Sequence, residues 1–159
     1  MNARNAVLVA LAAAVTLTAV ASAATHAARQ RVAITSQAAK TTQVSPFVFT
    51  PLQPGPLKGD SGTMTATFGT ERVVIREGQE VSIFDGGRTT LKGKRGSLVI
   101  HYRDEYVDGG NGYHVGTGTW KIVRGTGQYA HITGGGRTGN VSLDRGPWSS
   151  RNEGMVTVP

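Results

Sequence analysis

The chain contains no cysteine. Disulfides, thiolate-held zinc, iron–sulfur clusters and cysteine nucleophiles are therefore excluded. Proline is missing from Leu57 to Gly146, after a cluster at positions 46, 51, 54 and 56. Because proline cannot donate to a sheet ladder, that window permits a continuous sheet. Glycine is missing from the first 54 residues; all 22 glycines lie between Gly55 and Gly154. Carboxylates are scarce, 10 Asp+Glu against 17 Lys+Arg, for a net charge of +7, and none precedes Asp60. The first 44 residues carry only basic charge.

What is present divides the chain in two. Fifteen of the 17 alanines fall in residues 1–39, so the composition changes near residue 45. A helical body after that point is excluded, since each interior Gly costs about 1 kcal/mol relative to Ala. Residues 1–23 read as a secretory signal: Arg4, an uncharged Ala6–Ala21 run, then the small-residue site Ala21-Ser22-Ala23. At 16 residues the run is short of the roughly 20 that span a bilayer. The expectation is a secreted protein with no stable membrane anchor. Residues 24–44, with Arg29, Arg31 and Lys40, show no sustained apolar period and are expected to form a flexible, disordered basic segment.

From residue 45 to 159, β-branched and aromatic runs alternate with turn signals. Strands are expected at Pro46–Thr50, Gly62–Phe68, Arg72–Glu77, Glu80–Phe84, Thr89–Lys92, Ser97–Val107, Tyr113–Arg124, Gly139–Leu143 and Gly154–Val158. Asp85-Gly86-Gly87 and Gly134-Gly135-Gly136 are read as punctuation. The fold class is thus all-β, a sandwich or a closed barrel, and a single antiparallel barrel of about eight strands is the expectation because closure removes aggregation-prone edges.

The hairpin around Asp108–Gly112 suggests a register. Pairing Val107 with Tyr113 places Leu98, Ile100, Tyr102, Asp104 and Tyr106 opposite Ile122, Trp120, Gly118, Gly116 and His114. This face is the more apolar, so alternation turns it inward. Its dry end holds Leu98, Ile100, Trp120 and Ile122, and its polar end holds Tyr102, Asp104, Tyr106 and His114. Two readings of the polar end stand: tyrosine rings covering glycines, a packing device of sheets, or a ligand pocket.

The segment Val123-Arg124-Gly125-Thr126-Gly127-Gln128-Tyr129-Ala130, followed by Ile132 and Gly134-Gly135-Gly136, resembles the G-T-G-x-[FY] segment of the allene oxide cyclase and dirigent barrel superfamily. Gly116-Thr117-Gly118-Thr119-Trp120-Lys121, Pro56-Leu57-Lys58-Gly59-Asp60-Ser61-Gly62 and Arg151-Asn152-Glu153-Gly154 look like small secreted bacterial members of that group. The resemblance covers residues 45–159 and implies an eight-stranded barrel with an apolar interior. Plant members cyclise a fatty-acid epoxide or orient phenoxy radicals during coupling. No catalytic residue of theirs aligns here, so none is carried over.

Other motifs carry no chemistry. Gly116-Thr117-Gly118 continues into a strand and not a helix, which excludes a dinucleotide fingerprint. His101 and His114 fall on opposite faces, so no shared metal is expected. No nucleophile elbow is present. Asn140-Val141-Ser142 is a formal glycosylation sequon. The leading expectation is cofactor-free binding of a small hydrophobic molecule inside the barrel, extending to steering its cyclisation or coupling. Tyr102, Asp104, Tyr106, His114 and Trp120 would line the site. Trp120 would supply apolar contact, the tyrosines and His114 hydrogen bonds, and Asp104 orientation or proton transfer. The alternative is an interaction protein whose basic surface, densest at Lys92-Gly93-Lys94-Arg95, meets anionic cell-surface polymer or nucleic acid.

Overall fold

A computed structural model of the chain describes residues 27–39, 43–144 and 146–159. The expected signal at residues 1–23 lies outside the described residues. Nine strands follow one another: β1 (Ala28–Ala38), β2 (Val44–Pro51), β3 (Asp60–Thr67), β4 (Thr70–Arg76), β5 (Gln79–Gly93), β6 (Ser97–Gly110), β7 (Tyr113–Gly125), β8 (Thr133–Leu143) and β9 (Trp148–Val158). Among the described residues the one helical element is a 3₁₀ turn at Gly127–Tyr129. The sheet is antiparallel throughout, in the order β3-β2-β1-β9-β8-β7-β6-β5-β4, and a β3–β5 pairing closes it into a ring.

Closure depends on β5, which serves two neighbours on one side. Its first half pairs with β4 and its second half with β3, while β6 runs along its other edge. The Asp85-Gly86-Gly87 signal, expected as a turn between two strands, is instead a bulge inside one strand. The register with β6 shifts between Phe84 and Gly87, and Gly86 takes a φ of +76°. A bulge bends and twists its strand, which lets β5 leave β4 and join β3.

Residues 28–38 correct the expectation of a flexible segment at 24–44. They form β1, paired along its whole length with β9 and over five residues with β2. Gln30, Val32, Ile34 and Ser36 are buried, whereas Arg29, Arg31 and Gln37 are exposed. The period of two was there, but two of its inward positions are polar. Both are satisfied: Gln30 holds Leu57 through its N–H and C=O at 2.9 and 3.2 Å, and Ser36 Oγ lies 2.8 Å from Ser45 Oγ. Strands β8 and β9 are likewise longer than expected. Gly136 pairs with Gly154, and a Cβ on either would run into the facing backbone. These glycines permit close strand approach and do not end the strand.

The β6–β7 register differs by two residues from the expected one. Tyr102 pairs with Trp120, Asp104 with Gly118, Tyr106 with Gly116 and Asp108 with His114. A two-residue turn, Asn111-Gly112, has both φ values positive, and an added bulge between Asp108 and Gly110 restores the parity. Between Ile100 and Asp108 this even shift keeps each side chain on its expected face. A second bulge between Val99 and Ile100 makes the shift odd at Leu98 and Val99, and Val99 is buried. The inward face survives while the individual partners change.

One end of the barrel is closed and dry. Residues 52–59 and the 3₁₀ turn fold across it, joined by two hydrogen bonds of 3.1 Å between Gln128 and the Lys58 backbone. Leu57 and Tyr129 drop into the core with Phe49, Leu91, Leu98 and Trp120. The Phe49 and Tyr129 rings meet edge to face at 5.2 Å. Buried Asp60 ties this end together, accepting from the backbone N–H groups of Ser61, Lys94 and Arg95 and from the Tyr129 hydroxyl at 2.8–3.2 Å.

Candidate functional site

At the opposite end, the barrel interior holds a cavity of about 350 Å³. That is within the range of small-molecule sites, about 300–1,000 Å³. It exists because the polar inward positions of β6 and β7 are not filled from the facing wall. Glycines supply the wall opposite the large side chains. The Tyr106 ring lies where a Cβ on Gly116 would sit, the Tyr102 ring covers Gly87, and the Asp104 carboxylate covers Gly118. The aromatic rings cover glycines, as the first reading of the polar end expected, and a cavity lies beside them.

Four of the five expected site residues, Tyr102, Asp104, Tyr106 and His114, line this cavity. Trp120 does not. It is 3% exposed in the dry core, and its indole N–H donates to the Arg137 carbonyl at 3.1 Å. The register shift moves Trp120 from opposite Ile100 to opposite Tyr102, one pair nearer the open end, yet its indole still packs into the apolar end of the face, where the alternation had put it. Trp148 at the start of β9 takes the lining role, and its indole N–H is buried without a hydrogen-bond partner.

Asp104 is the chemical centre of the site. It is 5% exposed, and Asn140 Nδ2 donates to its Oδ2 at 3.0 Å. Its Oδ1 is buried with no hydrogen-bond partner. Burial pushes the carboxyl up to about 6, against the lowering influence of Asn140 and the Tyr106 hydroxyl. Tyr102 is pushed up to about 12, mainly by burial and secondarily by the Asp104 charge, and its hydroxyl donates to the Thr67 carbonyl at 3.1 Å. Burial first and the Asp104 charge second also raise Tyr106, with the Tyr102 charge and a hydrogen bond to Asp104 adding to them. Tyr106 also meets Phe84 edge to face at 5.6 Å, and Phe84 leans on Phe68 at 5.9 Å. His114 stands toward the mouth, its Nε2 2.7 Å from Asp144 Oδ1.

Comparison with known proteins returns nothing: no family model, no curated protein and no solved structure matches the chain. The site therefore has to be read from its own residues. Sequence reasoning missed Asn140, Trp148 and the half of the wall on β8 and β9, where Thr138, Ser150 and Asn152 are buried. The Asn140 sequon was visible, but the structure turns that side chain toward Asp104. Phe68 and Glu71, both exposed, form the lip on the β3–β4 side. Among the described residues no group of three or more His, Asp or Glu could hold a metal ion, and no helix is long and apolar enough to cross a membrane.

Chemically the arrangement offers an aromatic-walled space with one buried carboxylate at its side. It can exclude water, orient a polar atom against Asp104, and exchange a proton near neutral pH. The Asp104 value of about 6 places that exchange within reach of ordinary solution conditions.

Proposed function

We propose that this protein binds a small, largely apolar molecule noncovalently in the open end of its barrel, without a cofactor. The observation that carries the reading is the 350 Å³ cavity walled by Phe68, Phe84, Tyr102, Tyr106 and Trp148 around buried Asp104. A protein interior is normally close-packed, and a space of this size beside a buried carboxylate is poorly explained by stability alone. The resemblance to allene oxide cyclase and dirigent barrels agrees with this reading and rests on the segments that carry it; steering of a reaction within the cavity belongs to the same proposal. So does secretion, which rests on the signal-like residues 1–23.

Titration with adamantylmethanol, followed by Trp148 emission, tests the binding. Saturable one-to-one binding is expected, and its loss in Ala66→Phe, which fills the cavity from β3. A parent protein unresponsive to this probe and to larger apolar alcohols would defeat the proposal.

A second reading has its own support at the closed end. Lys58, Lys92, Lys94, Arg95 and Arg124 are exposed there and take part in no ion pair among the described residues. An anionic polymer would be held there by charge, so its binding would fall steeply with salt. Binding in the cavity would respond little.

A further inference from the structure

We propose that the ligand of the cavity carries a positive charge: an apolar molecule bearing a protonated amine, seated with its ammonium against Asp104 and its hydrocarbon body among the aromatic rings. This rests on the cavity-binding reading above and adds the ligand's chemical class. The first support is the charge of the wall. Among the described lining residues, Asp104 and Glu71 are the acids, and neither Lys nor Arg lines the space. In a chain with net charge +7, a lining free of Lys and Arg is a local reversal. Arg72 and Arg103, next in sequence to Glu71 and Asp104, and Arg76 form ion pairs with Asp85 and Glu105.

The second support is the buried charge of Asp104. A 95%-buried carboxylate with Oδ2 bonded to Asn140, Oδ1 packed over Gly118 and no cationic side chain in the lining holds its charge at a high cost. An ammonium supplies up to three donors and a compensating charge. An alcohol supplies one donor and no charge. A carboxylic acid at neutral pH would bring a second negative charge beside the first. The third support is the ring wall, since aromatic faces attract cations through their quadrupole and do so more strongly when water is excluded. Trp148 adds its indole ring to this wall.

Three probes of one shape separate the possibilities by calorimetry: adamantylmethylamine, adamantylmethanol and adamantanecarboxylate. At pH 7.5 the amine should bind at least tenfold more tightly than the alcohol, and the carboxylate more weakly than either. Asp104→Asn should abolish the preference for the amine while leaving the alcohol within about threefold. Thermal unfolding of that isosteric variant checks that it is folded, and Glu71→Gln, at the exposed lip, should reduce the preference only in part. Below pH 6 the amine's advantage should shrink in the parent and not in Asp104→Asn, and binding at pH 6 should release a proton. The titratable groups that share the cavity with Asp104 are Tyr102 and Tyr106 on β6, His114 on β7 and Glu71 on β4. A pH response that persists in Asp104→Asn would assign it to His114 and overturn the proposal. Equal affinity for amine and alcohol would also overturn it while leaving the cavity reading intact. Failure of all three probes to bind would remove the cavity reading itself.

Discussion

The two ends of the barrel each bury an aspartate, and the two are treated in opposite ways. Asp60 at the closed end accepts from three backbone N–H groups and a tyrosine hydroxyl, and these bonds hold its carboxyl below the usual range despite burial. Asp104 at the open end has only the Asn140 amide and the Tyr106 hydroxyl acting on it, and burial holds its carboxyl well above that range. Burial alone does not set the behaviour of a carboxylate; the number of donors delivered to it does. The closed end spends a loop, a 3₁₀ turn and a hairpin on saturating Asp60. The open end gives its aspartate fewer donors, at the wall of the cavity.

Removing each aspartate should expose this contrast. Asp60→Ala strands the Tyr129 hydroxyl and the N–H groups of Lys94 and Arg95, so a loss of about 4 kcal/mol is expected by urea unfolding. Because the Asp60 value is lowered in the folded state, its contribution is present above the unfolded carboxyl range and is lost as pH falls through the folded value. Asp104→Asn should act in the other direction. The raised value means that stability is fully present below about pH 4 and is lost as pH rises through about 6. The amide variant should therefore be more stable than the parent at pH 7.5, by on the order of 2 kcal/mol, and equal to it near pH 4. A parent protein whose unfolding midpoint keeps rising from pH 4 to 7.5 relative to Asp104→Asn would break the comparison.

A smaller effect sharpens it. Gly116→Ala places a methyl group against the Tyr106 ring and should cost about 1–2 kcal/mol. Gly139→Ala, on the neighbouring strand with nothing within 4 Å of the new atom, should be neutral within error. Equal costs at the two positions would mean that the tyrosine does not lie flat on its glycine, and that the cavity is filled differently.

The closed architecture was legible wherever the inward positions were apolar. The alternation in β2, β3, β6 and β7 is carried by Phe47 and Phe49, Met64, Leu98 and Ile100, and Trp120, and those strands lie where the pattern put them. It was hidden wherever a polar residue faces inward. Gln30 and Ser36 concealed β1, and Thr138 and Asn140 concealed most of β8 behind three glycines. The site was legible in part for the same reason. Tyr102, Asp104, Tyr106 and His114 kept their face because the register error was even there, whereas Trp120, one of the apolar positions of that face, packs into the core and not into the cavity wall. Asp60 gave no signal at all, since its partners are mostly backbone groups brought together by the fold.

The pairing of β1 with β9 has a consequence for how the ring comes to exist. Those strands match eleven residues, each more than a hundred positions from its partner, whereas β6 and β7 meet across a two-residue turn. Loop-closure entropy grows by about 0.6 kcal/mol for each doubling of length, so the seam costs roughly 3–4 kcal/mol more to initiate than the hairpin. Hairpins such as β4–β5 and β6–β7 can therefore assemble early, and the seam forms last and slowly, as non-local pairing does in other β proteins. Until β9 docks, β1 and β8 each present an unpaired edge able to capture a strand from another chain. The ninth strand is a latch, and the interval before it shuts is when this protein is most exposed to aggregation.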